Sequence, residues 1–181
     1  MNINTVVFRL ILVVLAGFSP CFAFTGEAGV NLPVLISDGM VIQRDKPATI
    51  WGWADGGETV TVRLMGNVYT TTTGEDGRWQ VELPAMPAGG PYVMNINEHE
   101  INDILVGDVW LCSGQSNMEL PVSRVLDMFR DEVERDSNPM IRHLHVRQAY
   151  DFHALAEDIE PASWKSLTPE NAIGFSAVAY F

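Results

Sequence analysis

Cysteine is nearly absent from this chain of 181 residues: Cys21 and Cys112 are the only two. Cys21 falls in an N-terminal leader that the residue order marks for removal, which leaves Cys112 alone and excludes an internal disulfide. Basic residues are scarce as well. Eleven Lys and Arg stand against 23 Asp and Glu, a formal net charge of −12, and no basic stripe or basic–aromatic interleaving offsets that balance. Phosphate backbones repel such a surface, so nucleic acid is excluded as a partner, and an anionic membrane surface is disfavoured for the same reason. A long apolar run is also lacking. The stretch from Leu10 to Gly17 falls short of the about 20 residues that a membrane span needs, and it ends in Phe18-Ser19-Pro20.

What is present begins with that leader. Arg9 is its only charge, a short greasy core follows, and Pro20-Cys21-Phe22-Ala23 closes it. The order predicts a signal peptide over residues 1–23, cut after Ala23, with a periplasmic or secreted product and no stable membrane span once it is removed. The competing reading is a buried or anchoring first helix. A lipid anchor at Cys21 is disfavoured, because Pro20 stands where a small residue is wanted.

The remainder has length for one ordinary domain or two small ones. Its texture changes near Leu105. Before that point, short stretches alternate apolar and polar residues: Val60, Val62 and Leu64 on one side, Thr59, Thr61 and Arg63 on the other. Such a period of two predicts a strand with one buried face. Trp79, Val81 and Leu83 repeat the pattern, as do Tyr92, Met94 and Ile96, and Thr70 to Thr73 is a β-branched run suited to a strand. Asp55-Gly56-Gly57, Gly66-Asn67, Glu75-Asp76-Gly77 and Gly89-Gly90-Pro91 supply turns. Residues 24–104 are therefore expected to form a β-rich, antiparallel sandwich-like domain. Trp51, Trp53 and Trp79 are read as its core in preference to an aromatic ligand platform.

From Leu105 the rhythm becomes strand, loop, helix, strand. Val106 to Cys112 is the expected strand, with Cys112 buried in it as a small hydrophobe. Val125, Leu126, Phe129 and Val133 fall at helical spacing within Ser123 to Arg135. Ile141, His143 and His145 then alternate in a second strand, Pro161 to Leu167 is loop-like, and Thr168-Pro169-Glu170 opens a helix that continues to Phe181. This is a βαβ-like start of an α/β layer over residues 105–181, and the fold class is α+β overall.

One segment in that layer carries chemistry. Gly114-Gln115-Ser116-Asn117-Met118 follows the expected strand. Ester hydrolysis needs an activated oxygen, a proton acceptor and donors for the oxyanion. A serine just past a strand meets the first need, and a helix following at once would aim backbone N–H groups at the attacked carbonyl. Gly114 occupies the upstream place of the glycine-flanked nucleophile elbow, but Met118 stands in the downstream one. Ser113 is a competing hydroxyl, better suited to a cap or turn, and Ser116 itself has that structural alternative. His143 and His145 share a strand face as a metal pair would, but no third ligand completes a zinc site, so neither metal nor cofactor is expected. Nor does any histidine here stand out as a base held by a third group.

Read together, several blocks carry a resemblance. Gly107-Asp108-Val109-Trp110-Leu111-Cys112-Ser113 leading into Gly114–Met118 resembles the first block of the sialate O-acetylesterase family, within the wider SGNH hydrolases. Leu35 to Arg44 and Trp51-Gly52-Trp53-Ala54 resemble the family's β-rich leader, and Gly174 to Phe181 resembles the helix-opening segment before the next part of its catalytic domain. The resemblance covers nearly all of the chain after the leader. It implies a sandwich-like domain followed by the beginning of an SGNH-type α/β hydrolase domain, truncated at Phe181. It implies an exported esterase that removes O-acetyl groups from sialic acid or related acetylated sugars, through an acyl-serine and without metal. Ser116 would be the nucleophile, with its N–H in the oxyanion hole, and Gln115 and Asn117 would order the loop or touch substrate. The family's catalytic histidine and aspartate come late in its chain, with no counterpart before Phe181, so these residues alone are expected to be inactive. Alternatives are an acetylxylan-type esterase, since no residue singles out a sialate carboxylate, and a noncatalytic carbohydrate-binding or structural sandwich. Oligomeric state is left open.

Overall fold

Alternation at Thr59–Leu64 has the expected consequence: Val60, Val62 and Leu64 are buried while Thr59 and Arg63 are exposed. The computed structural model describes residues 29–181, so the expected signal peptide lies outside the described residues. Seven strands come first: β1 Val41–Gln43, β2 Ala48–Trp53, β3 Thr59–Leu64, β4 Asn67–Thr72, β5 Arg78–Leu83, β6 Gly89–Ile96 and β7 His99–Gly107. Five of them make one sheet in the order β1-β7-β6-β3-β4, and β2 pairs with β5 in a separate two-stranded sheet. The inward faces of both sheets share one core, in which Ile50, Trp79, Val81 and Leu83 of the small sheet join Val60, Val62, Met94, Ile96 and Ile104 of the large one. This is a mostly β architecture with few helices.

The expectation of an all-antiparallel sandwich needs one correction. β1 runs parallel to β7, from Val41 opposite Leu105 to Gln43 opposite Gly107, so the large sheet is mixed. Gly89-Gly90, read as a turn, lies inside β6, because Gly89 pairs with Val106 across the sheet. A side chain at Gly90 would meet the backbone oxygen of Ile104 at 2.6 Å, so glycine there permits a close approach of strands. The turn at Gly66 is as expected, with φ of 78°. Trp79 is core: its ring lies over Gly52, where an added Cβ would stand 2.8 Å from it. Trp51 and Trp53, two residues apart on β2, meet each other edge to face at 5.2 Å and are only half-buried.

After β7 come a short 3-10 turn at Val122–Arg124, α1 Leu126–Arg135, β8 Asn138–His143, β9 Lys165–Leu167, α2 Pro169–Ala172 and α3 Ala177–Tyr180. No βαβ unit forms among the described residues. β8 pairs antiparallel with β9, inside the stretch expected to be loop, and β7 belongs to the large sheet. The helix expected over Ser123–Arg135 opens as the 3-10 turn, becomes α-helical only from Leu126 and is kinked at Phe129, where φ is −129°; Val122, Val133 and Ala177 form a second, smaller core with Val125, Leu126 and Tyr180 packed on it. The helix expected to run on to Phe181 is two helices, separated at Gly174–Ser176.

Several contacts fasten this later region to the sheets. Arg142 Nη2 donates to Asp103 at 2.6 Å, Trp164 Nε1 to the Leu35 carbonyl at 3.0 Å, and Val34 N to Asp158 at 2.9 Å. The Arg142 side chain is only 5 % exposed, so its pairing with Asp103 keeps a charge from being buried alone.

Candidate functional site

The path to Ser116 begins where the sheet ends. Gln43 of β1 is paired with Gly107 of β7, and past that point β7 has no parallel neighbour to bond. The Asp108 carboxylate accepts from Arg44 Nε at 2.8 Å, and Val109 N donates to Gln43 Oε1 at 2.9 Å. These two contacts hold the exit. The strand expected over Val106–Cys112 therefore stops at Gly107, because apolar residues alone do not make a strand without a partner backbone. Val109 to Gly114 is irregular; Trp110 and Leu111 are 84% and 93% exposed, and Cys112 is exposed rather than buried.

The serine motif is a pair of overlapping turns. Met118 N donates to the Gln115 carbonyl at 2.9 Å and Leu120 N to that of Asn117 at 3.3 Å. Ser116 and Asn117 occupy the centre of the first turn, and Gln115, Ser116 and Asn117 are all exposed. No helix follows at once; the first helical hydrogen bonding begins at Val122, after Pro121. No hydrogen bond among the described residues engages the hydroxyl or the backbone N–H of Ser116. Both are thus available to a ligand, and no base lies against the hydroxyl there.

Two blocks distant in sequence meet at this turn. The Ser176 hydroxyl donates to Met118 Sδ at 3.2 Å, and Met118 packs against Gly114, where an added Cβ would stand 3.3 Å away. The backbone continues the link: Ala177 N donates to the Leu120 carbonyl at 2.8 Å, Val122 N to that of Phe175 at 2.9 Å and Ser123 N to that of Ile173 at 3.0 Å. Residues 118–123 are thus held along residues 173–177, with Pro121 bridged to Ser176. The segment beginning at Gly174 is the support of the serine turn.

The histidines lie elsewhere. His143 and His145 line a groove of about 540 Å³ together with Arg147, Lys165, Glu170 and Phe175, among others. A second recess, of about 390 Å³, lies between Asp103, Arg142 and Trp164. Neither is lined by Gln115, Ser116 or Asn117. The Phe175 ring stands 4.5 Å from that of His143, tilted, and 6.2 Å from that of His145, edge-on. Burial, then the charges of Lys165 and His145, hold the His143 imidazole below its ordinary value of 6.5. No three metal-ligating side chains converge among the described residues. His99 holds the Val30 carbonyl at 2.7 Å, and His153 is exposed, its backbone N–H on Asp151. Sequence reasoning missed Arg147 and Lys165. The signal for Arg147 was available: it continues the alternation of residues 143 and 145. Lys165 had none, since its strand exists only through pairing with β8.

No family model matches the chain. It is 31% identical over 160 residues to the sialate O-acetylesterase of Homo sapiens, covering 79% of this chain and 30% of that protein. To the sialate O-acetylesterase of Mus musculus it is 31% identical over 181 residues, covering 91% and 33%. A crystal structure of a carbohydrate acetylesterase from Xanthomonas citri superposes with a TM-score of 0.77 at 36% identity, over 84% of this chain and 35% of that one. The chain thus spans about a third of the length of the relatives it matches. On the motifs, the shared backbone and these likenesses, the chain belongs to the sialate O-acetylesterase family.

Proposed function

We propose that this chain is part of an exported carbohydrate esterase that removes O-acetyl groups from acetylated sugars, with Ser116 as nucleophile. The observation that carries the reading is the display of the Ser116 hydroxyl on an exposed turn that a second motif block supports from beneath. In the first step the Ser116 oxygen attacks the acetyl carbonyl, its proton passes to a base, and the sugar oxygen leaves with a proton. Water then attacks the acyl-serine, and acetate is released as the serine regains its proton. In this reading the backbone N–H of Ser116, which has no hydrogen-bond partner among the described residues, donates to the oxyanion, and Gln115 and Asn117 flank the substrate. Within residues 29–181 no side chain hydrogen-bonds the Ser116 hydroxyl, so this reading assigns the proton acceptor, and the completion of an SGNH-type α/β domain from residue 105 onward, to residues outside them.

Sialic acid is the substrate in the names of the relatives, and acetylated plant polysaccharide is the alternative for this chain. Release of acetate from both classes by the full-length protein separates them. Ser116→Ala is expected to lower turnover by at least about a thousandfold, the scale on which nucleophile removal acts, while Ser113→Ala leaves it near wild type. Equal loss in both variants, or none in Ser116→Ala, contradicts the assignment. A sandwich that only binds sugar would show binding and no turnover in any variant.

A further inference from the structure

The downstream place of the glycine-flanked nucleophile elbow holds Met118 in this chain, and the turn is shaped around that side chain. Ser116 and Asn117 sit at its centre, and Met118 N closes it on the Gln115 carbonyl at 2.9 Å. The Met118 side chain then folds back over the start of the loop. A Cβ added at Gly114 would stand 3.3 Å from its Cβ, 3.9 Å from its Cε and 4.0 Å from its Cγ. One side chain therefore spans both ends of the segment that carries Ser116. Its sulfur is fixed from outside the turn. Ser176 Oγ accepts from Ala179 N at 3.4 Å and gives its proton to Met118 Sδ at 3.2 Å; a thioether has no proton to return, so the bond has one direction. Among the described residues this is the one side-chain hydrogen bond made by residues 113–118.

We propose that Met118 is a positioning residue for Ser116, its thioether pinned by the Ser176 hydroxyl so that the turn holds the serine oxygen and N–H in one direction. This role rests on the reading of Ser116 as nucleophile and adds to it the residue that aims the nucleophile. Gln115, Ser116 and Asn117 are exposed, so their own packing does little to fix the turn. A glycine at position 118 would leave its shape to backbone preference alone. Methionine, unbranched and soft, fills the irregular gap over Gly114 and supplies a tether to the start of α3. The tether is itself anchored, since Ala177 N donates to the Leu120 carbonyl at 2.8 Å and Pro121 is bridged to Ser176. Aim matters at this point in the fold: moving a reacting group by about 1 Å costs about a hundredfold in rate, and an oxyanion donor acts only when it points at the forming charge.

The test is steady-state hydrolysis of p-nitrophenyl acetate by the full-length protein as wild type, Met118→Leu, Ser176→Ala and the double variant, with the denaturation of each followed by circular dichroism. Met118→Leu conserves the apolar volume and loses the acceptor. Its kcat is expected to fall about fivefold, the scale of one hydrogen bond, with KM within about twofold of wild type and the denaturation midpoint little changed. Ser176→Ala is expected to lose about as much in kcat and, in addition, the stability of the α3 cap. The double variant separates positioning from a merely structural role. If the hydroxyl acts through the sulfur, its kcat stays about fivefold below wild type, because the shared contact is lost only once, while its midpoint falls with that of Ser176→Ala. Losses that multiply to about twenty-five-fold, a raised KM in place of a lowered kcat, or wild-type kcat in Met118→Leu would each overturn the proposal. So would loss of the native circular dichroism signal in Met118→Leu, which would make Met118 a folding residue. Ser116→Ala run alongside keeps the two readings apart: its inactivity, with kcat unaltered in Met118→Leu, spares the nucleophile and sinks the positioning residue, whereas full activity of Ser116→Ala sinks both.

Discussion

Ser116 and Tyr180 show how differently two hydroxyls can be situated. The serine oxygen has no hydrogen-bond partner among the described residues, so replacing it breaks no hydrogen bond there. The tyrosine hydroxyl donates to Asp136, and its pKa is pushed from 10.0 up to about 12, first by burial, then by that bond and the negative charges of Asp136 and Glu132. Because the folded value lies above the unfolded one, whatever stability this phenol contributes is intact below pH 10 and is lost as pH rises from 10 through about 12. Absorbance titration of the protein against Tyr180→Phe should therefore resolve one phenol ionising near the top of that window, and Asp136→Asn should bring it down. A Tyr180 that ionises at its ordinary value would mean that the bond to Asp136 does not persist in solution.

At the scale of elements, two caps shape the support beneath the serine turn. Thr168 accepts from Asn171 N at 3.2 Å and opens α2 with Pro169 at its first position. Ser176 accepts from Ala179 N at 3.4 Å and opens α3. Ser176→Ala removes a cap and the contact to Met118 together, and it should cost about 1 kcal/mol, read as a lowered denaturant midpoint at unchanged slope. Activity of the full-length protein should fall with it, since the turn carrying Ser116 loses an anchor. The first cap was legible in the sequence because Thr-Pro-Glu is a local signal. The second was legible too, but an apolar continuation through Ala177 and Tyr180 outweighed it. Strands with one buried face were read correctly at β3 and β5, because each carries its pattern within six residues. The stretch Val106–Cys112 could not be read that way. Its apolar side chains predict burial, but whether it pairs depends on β1 ending at Gln43, some sixty residues earlier. The same is true of β9 and of Gly89-Gly90, both made strand by partners far along the chain. At the candidate site, the serine turn and its two flanking residues could be read from local sequence, whereas the strip that supports them is a long-range pairing.

At the scale of the whole molecule, the described residues hold one large core and one small one. Burial is ample in the first, where Val60, Val62, Leu83, Met94, Ile96 and Ile104 are fully enclosed. The region after Gly107 instead leaves Trp110, Leu111, Met128, Phe152 and Leu155 on the surface. Exposed apolar area on that scale invites association. Residues 24–181 produced alone should bind a hydrophobic dye and self-associate at micromolar concentration, and Trp110→Ser with Leu111→Ser should reduce both. A monodisperse, dye-silent polypeptide would show that these side chains are covered within the chain itself. The account of the molecule rests on one oxygen becoming acylated. The most direct measurement is peptide mapping by mass spectrometry after the full-length protein is quenched in acid during turnover of an acetyl ester. An acetyl group at Ser116, absent from Ser116→Ala, is the predicted result. Acetyl on Ser113, or turnover that persists in Ser116→Ala without acetylation of this turn, would contradict it.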